Sequence, residues 1–198
     1  MTPLVYLMGA SGAGKDSVLR GARDALTGDD RIVMAHRYIT RPADAGGENH
    51  VSLTLGEFAL RRDAGLFAYH WAAHGHHYGI GIEIETWRRA GLTVIVSGSR
   101  AHFATLDPED DTLPVIISAR PEILARRLAE RGRESAEEIM ERLRREPAVT
   151  HPATVIIDNS GPLAASVQAF LAAVRSATAR HPAPRAEAPG RALPAPAG

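Results

Sequence analysis

The stretch MGASGAGKDSVL, Met8–Leu19, decides the fold. It nearly matches G-x-x-x-x-G-K-[ST], a loop that cradles phosphate. Gly9, Gly14 and Lys15 take the fixed positions, with Ala10, Ser11, Gly12 and Ala13 between them. The pattern then asks for a hydroxyl; Asp16 stands there, and Ser17 follows one step later. The flanks supply the context that such a loop needs. Leu4–Met8 (LVYLM) is a continuous apolar run, as expected of a strand buried on both faces. Beyond the loop, Val18, Leu19, Ala22 and Leu26 fall on one face of a helix. In a strand–loop–helix unit of this kind, backbone N–H groups and a helix N-terminus converge on an anion. Lys15 then reaches the outer phosphates.

The rest of the chain bounds what the loop can serve. Its 198 residues, 44% hydrophobic, suit one globular domain with a sizeable core. Lys and Arg number 23 and Asp and Glu 23, for a formal net charge of +0. That excludes a protein that coats nucleic acid by overall charge, so any anion site must come from local clustering. With 0 cysteines, disulfides and thiolate zinc sites are excluded. The sequence shows no basic leader followed by an apolar core and no apolar run long enough to cross a bilayer. The expectation is a cytoplasmic protein with neither nucleic-acid nor membrane partners, as a monomer or homodimer.

Short apolar runs recur along the chain. RIVMAHRYITR (Arg31–Arg41) reads as a second strand that continues into something exposed. LTVIVSGS, LPVIISA and ATVIIDNSG read as further buried strands, and Asn159 and Ser160 end the last of them. Helical patterns separate them, including IEIETWRRAG, PEILARRLAERG, SAEEIMERLRRE and PLAASVQAFLAAVRSATA. Strands alternating with helices predict a parallel sheet covered on both faces. The segment from Arg37 to Ile80 breaks that rhythm. It contains a capping box, TLGE (Thr54–Glu57), and LFAYHWAAHGHHYGI (Leu66–Ile80), which reads as a hairpin around His74-Gly75. It is expected to stand over the C-terminal edge of the sheet, where open α/β folds bind ligands. After His181 the chain is rich in proline and alanine without periodicity and is expected to be disordered.

Two basic clusters lie outside the loop. Arg127, Arg131, Arg133, Arg142 and Arg145 flank GRES, and most of them suit solvated helix faces paired with nearby glutamates. The GRES turn also suits a hinged, arginine-bearing lid of the kind that phosphoryl transfer uses. Arg37, Arg41, His50, His76, His77 and Tyr78 form the other cluster. Its histidines lack the helical spacing and neighbouring carboxylate of a zinc site, and an anion fits them better.

Taken together, GASGAGKDS, ITRP, GEN, HHYGI and RLAERGRES…EEIMERL resemble the guanylate-kinase-like phosphotransferases, over about Leu4 to Arg175. Within that group GKDS, RYITRP, HYGI and VSGSR look most like the ribose 1,5-bisphosphate phosphokinases of phosphonate utilisation. The resemblance implies an α/β, P-loop kinase three-layer fold: a central parallel sheet, a small strand-rich substrate-binding insertion and a helical lid. It implies a core over residues 1–36 and 81–180, the insertion over about 37–80, the lid over about 126–146 and a tail over 181–198. It implies ATP and Mg²⁺ as cofactors, a sugar bisphosphate as the small-molecule partner, and formation of 5-phosphoribosyl 1-diphosphate. Lys15, Arg131 and Arg142 would be catalytic. Gly9, Ala10, Ser11, Gly12, Ala13, Gly14, Lys15, Asp16, Ser17 and Arg133 would bind ATP, and Asp16 and Ser17 would face Mg²⁺. Arg37, Arg41, His50, His77 and Tyr78 would bind the acceptor.

The departures from guanylate kinases point one way. Arg41 matches their first acceptor-phosphate arginine, but Asp44 stands where the second would be. His50 and His77 fall where those enzymes place phosphate-binding tyrosines. Tyr69 falls at the guanine-reading glutamate, Ser97 and Ser99 at an aspartate pair, and Arg37 at a base-reading serine. Guanine presents N–H donors, and leaving them unpaired in a buried site costs roughly 1–3 kcal/mol each. An arginine in their place favours a second phosphate. A guanylate kinase with an unusual base pocket and a non-catalytic guanylate-kinase-like binding module stand as alternatives; Lys15, Arg131 and Arg142 favour an enzyme. Asp16 has two readings, an acid favoured by the helix dipole or a Mg²⁺ ligand.

Overall fold

A computed structural model describes residues 2–43, 50–107, 111–129, 149 and 151–181. Asp44, the GEN segment, Arg131, Arg133, Arg142, Arg145, the lid beyond Ala129 and the tail after His181 lie outside the described residues. Five strands form one parallel sheet: β1 (Leu4–Gly9), β2 (Ile32–Met34), β7 (Thr93–Ser97), β8 (Thr112–Ser118) and β9 (Val155–Asp158). Their order is β2-β7-β1-β8-β9, so β1 is central and the phosphate-loop candidate leaves the middle of the sheet. The apolar run of β1 follows from that position. Val5 and Leu7 enter a core with Val18 and Ala22 of α1 (Lys15–Ala25) and Phe170 and Val174 of α6 (Leu163–Ala179). Leu4, Tyr6 and Met8 enter a second core on the opposite face, with Ile84 of α3 (Glu83–Arg89) and Phe103 of α4 (Arg100–Phe103). Both sets alternate along one strand, as a two-residue repeat requires.

The segment from Arg31 to Arg41 is two strands, not one. Ile32–Met34 pairs with β7, and Ala35 N–H makes one more bond to the Ile95 carbonyl, 2.9 Å away. The apolar run ends there, and at His36 the chain leaves for a second sheet. That sheet runs β4-β3-β6-β5 and comprises β3 (Arg37–Ile39), β4 (His50–Ser52), β5 (Phe67–Ala73) and β6 (His76–Gly81). β5 and β6 are antiparallel and close through His74-Gly75, whose φ values of 51° and 75° suit the mirror-image turn of a tight hairpin. The outer face carries Leu53, Phe58 and Phe67 with Tyr38, covered by α2 (Leu55–Asp63). The Thr54 hydroxyl accepts the Glu57 N–H at 3.1 Å and caps α2, as TLGE predicts. The inner face sends Ile80, Tyr69 and Trp71 onto the second core. Among the described residues no helix is long and apolar enough to cross a membrane.

Two arginines, one half-buried and one buried, fasten the edges. Arg31 caps the end of α6 through the Thr178 and His181 carbonyls, at 3.1 and 2.8 Å. Arg88, 2% exposed, gives Nη2–H to Asp111 at 2.7 Å and Nε–H to the Thr2 carbonyl at 3.1 Å. Removing one member of a buried pair strands the other. Arg88→Ala is therefore expected to lower stability by roughly 3–5 kcal/mol, read as a lower urea midpoint with an unchanged slope.

Candidate active site

The loop between β1 and α1 is built to leave backbone donors open. Gly14 adopts φ 87° and ψ 19°, and no side chain caps α1. In that left-handed conformation only glycine is unstrained, and here a Cβ would also strike the Asn159 amide. The first turn of α1, Lys15, Asp16 and Ser17, faces the cavity, the end of a helix that suits an anion. From behind, Asn159 Nδ2–H donates to the Ala13 carbonyl at 2.7 Å, and Arg127 donates to the Asn159 carbonyl at 2.9 Å and the Gly12 carbonyl at 3.5 Å. Asn159 is 2% exposed, so its side chain braces the loop from beneath. Ser160 accepts the Arg120 N–H at 2.8 Å. Lys15 Nζ donates to Ser97 Oγ and to Asp16 Oδ1, both at 2.7 Å.

The loop forms one wall of a cavity of about 440 Å³. Gly9, Ala10, Ser11, Gly12, Gly14, Lys15, Asp16 and Ser17 line it; Ala13 is buried behind them. Gly98, Ser99, Arg100 and Ala101 continue the same wall past the end of β7. The second sheet supplies the opposite wall through Arg37, Arg41, Trp71, Ala73, His74 and Tyr78. Lys15, Arg37, Arg41 and Arg100 therefore face one space, and among the described lining residues Asp16 is the only carboxylate. Burial pulls the Arg100 guanidinium below its ordinary pKa, the sign of a cation held partly out of water.

Not every residue expected at the acceptor lines this space. His50 is buried and its Nε2 lies 3.2 Å from the Arg41 carbonyl, so its contact is with the backbone of β3's continuation. His77 packs on Phe58, ring centroids 5.4 Å apart, and with Thr40 and Arg41 lines a separate polar groove. Tyr69 packs edge-on against Tyr6, at 6.0 Å, within the second core. Arg100 and Trp71 were missed in the sequence. Arg100 had a usable signal: it follows a buried strand at the C-terminal edge of a parallel sheet, where ligands bind. Trp71 had a weaker one, its place opposite Tyr78 in the hairpin.

No family model matches the chain. It is 51% identical over 181 residues to ribose 1,5-bisphosphate phosphokinase PhnN of Desulfomicrobium baculatum, covering 90% of this chain and 97% of that protein. It is 49% identical over 174 residues to the protein of the same name from Dickeya zeae, covering 86% and 92%. Among solved structures, guanylate kinase from Anaplasma phagocytophilum superposes with a TM-score of 0.63 at 16% identity, covering 88% of this chain and 85% of that one. That likeness shows the P-loop kinase fold. Since an unpaired buried carbonyl costs about 1–3 kcal/mol, Asn159→Ala is expected to weaken nucleotide binding roughly tenfold in a calorimeter, with the far-ultraviolet circular dichroism unchanged.

Proposed function

The chain belongs to the family of ribose 1,5-bisphosphate phosphokinases, and on that premise we propose that it transfers the γ-phosphoryl group of ATP to the 1-phosphate of ribose 1,5-bisphosphate. The products are ADP and 5-phosphoribosyl 1-diphosphate. The observation that carries this reading is the cavity with cations on both walls: Lys15 and Arg100 on one, Arg37 and Arg41 on the other. An acceptor with a phosphate at each end needs that arrangement. A purine would need acceptors for its edge, and Tyr69, Ser97 and Ser99 are modest substitutes for carboxylates.

The chemistry asks little of acid–base groups. An oxygen of the 1-phosphate is already ionised at neutral pH and attacks the γ-phosphorus; the bond from that phosphorus to the bridging oxygen breaks, and ADP leaves with the electron pair. The obstacle is repulsion between two polyanions. Lys15 and the open N–H groups of the loop take the donor's phosphates, and Arg37, Arg41 and Arg100 take the acceptor's. Tyr78 walls the acceptor, while His50 acts on Arg41 through its carbonyl. Arg131, Arg133 and Arg142 would close from the lid and exclude water. Asp16 and Ser17 present oxygen donors of the kind that Mg²⁺ prefers and would hold it. Bound there, the ion would neutralise charge on the donor's phosphates.

Purified protein supplied with ATP, Mg²⁺ and ribose 1,5-bisphosphate is expected to form 5-phosphoribosyl 1-diphosphate, and to phosphorylate GMP poorly in a parallel assay. The reverse preference would make it a guanylate kinase. Asp16→Ala is expected to raise the Mg²⁺ concentration giving half-maximal rate while sparing the KM for the acceptor. An unchanged Mg²⁺ dependence would leave Asp16 only its favourable place at the helix N-terminus.

A further inference from the structure

Arg37 reaches the acceptor cavity from a three-residue strand, on a long and flexible stem. Its guanidinium carbon lies 5.2 Å from the centroid of the Tyr78 ring. Tyr78 in turn lies flat against Trp71, its cross-strand partner, with centroids 5.5 Å apart and planes 6° from parallel. His102 of α4 covers Trp71 as well, at 5.1 Å and 26°. The imidazole is fixed at its far end: its Nδ1 lies 2.9 Å from the hydroxyl of Tyr6, which is wholly buried on β1. That hydroxyl also accepts the Ser99 N–H at 3.4 Å. Burial, with a smaller effect of His70, pulls the His102 pKa down and so favours the neutral ring. A continuous stack therefore runs from the central strand to the guanidinium at the cavity wall.

We infer that Trp71 is a positioning residue for Arg37, holding the Tyr78 ring that orients the guanidinium toward an acceptor phosphate. Stacking engages the face of a guanidinium, and its in-plane N–H groups are the ones that pair with phosphate oxygens. Without the indole, Tyr78 loses its backing and Arg37 its platform. The inference deepens the sugar-bisphosphate reading above and rests on it for the identity of the acceptor.

A double-mutant cycle tests it. Trp71→Leu is expected to raise the KM for ribose 1,5-bisphosphate about tenfold, while the KM for ATP and kcat change less than about threefold and Trp71→Phe restores most of the loss. In an Arg37→Ala background, Trp71→Leu is expected to add less than about twofold, because its target is already gone. An equal penalty in both backgrounds, or an equal rise in the KM for ATP, would overturn the inference. Nuclear magnetic resonance of the free protein gives a second measurement that needs no turnover. The Arg37 side-chain protons over the Tyr78 ring should show an upfield ring-current shift that Trp71→Leu abolishes and Trp71→Phe keeps. Survival of that shift in Trp71→Leu would also overturn the inference. A wild-type protein inactive on ribose 1,5-bisphosphate would instead defeat the substrate reading, and the resonance measurement would still decide the role of Trp71.

Discussion

The bond from the Asn159 amide to the Ala13 carbonyl is short, buried and made between the ends of the chain's first and last strands. It braces the glycine loop from beneath. Gly14 can take its left-handed conformation because no Cβ meets Asn159 there, and α1 can begin without a side-chain cap. The described cations of the cavity, Lys15, Arg37, Arg41 and Arg100, are arranged around that loop. β7 brings Ser97 to Lys15, and the turn after it brings Arg100 to the same wall. The second sheet has its place because its inner face covers Tyr6 and Phe103 of the core.

A chain of net charge +0 thus gathers four cations among the described residues of one cavity. The charge is concentrated by topology. Lys15 follows β1, Arg100 follows β7, and Arg37 and Arg41 come from β3 and the residues after it. Burial makes a cation costly, and the lowered pKa of Arg100 records that cost. The same cost favours a dianionic ligand over a neutral one.

The central sheet was legible because its strands are buried on both faces and stay apolar throughout. The loop was legible because its glycines are required by backbone geometry and not by packing. The break between Met34 and Arg37 was not legible: IVM and RYI have similar strand propensity, and only the partner strands distinguish them. The lining of the candidate site was legible in part. Arg37, Arg41 and Tyr78 line the cavity as their alternation suggests, whereas His50 and His77 share their composition but not their direction. A one-residue step along a strand turns a side chain to the other face, and Tyr78 and His77 are separated by that step. The stack through Trp71 and His102 joins residues from two sheets, and no local pattern announces such a contact.

The chain crosses between the two sheets at Ala35–His36 and again beyond Gly81, at the start of α3. These crossings lie side by side in the fold's economy: the pairing of β2 with β7 is complete before the first, and α3 resumes the core after the second. Every hydrogen bond that links the strands of the catalytic sheet to one another is made outside the stretch between them. The second sheet is therefore a cassette: the contents of that stretch can change without altering the register of the parallel sheet, provided that an apolar face still covers Tyr6.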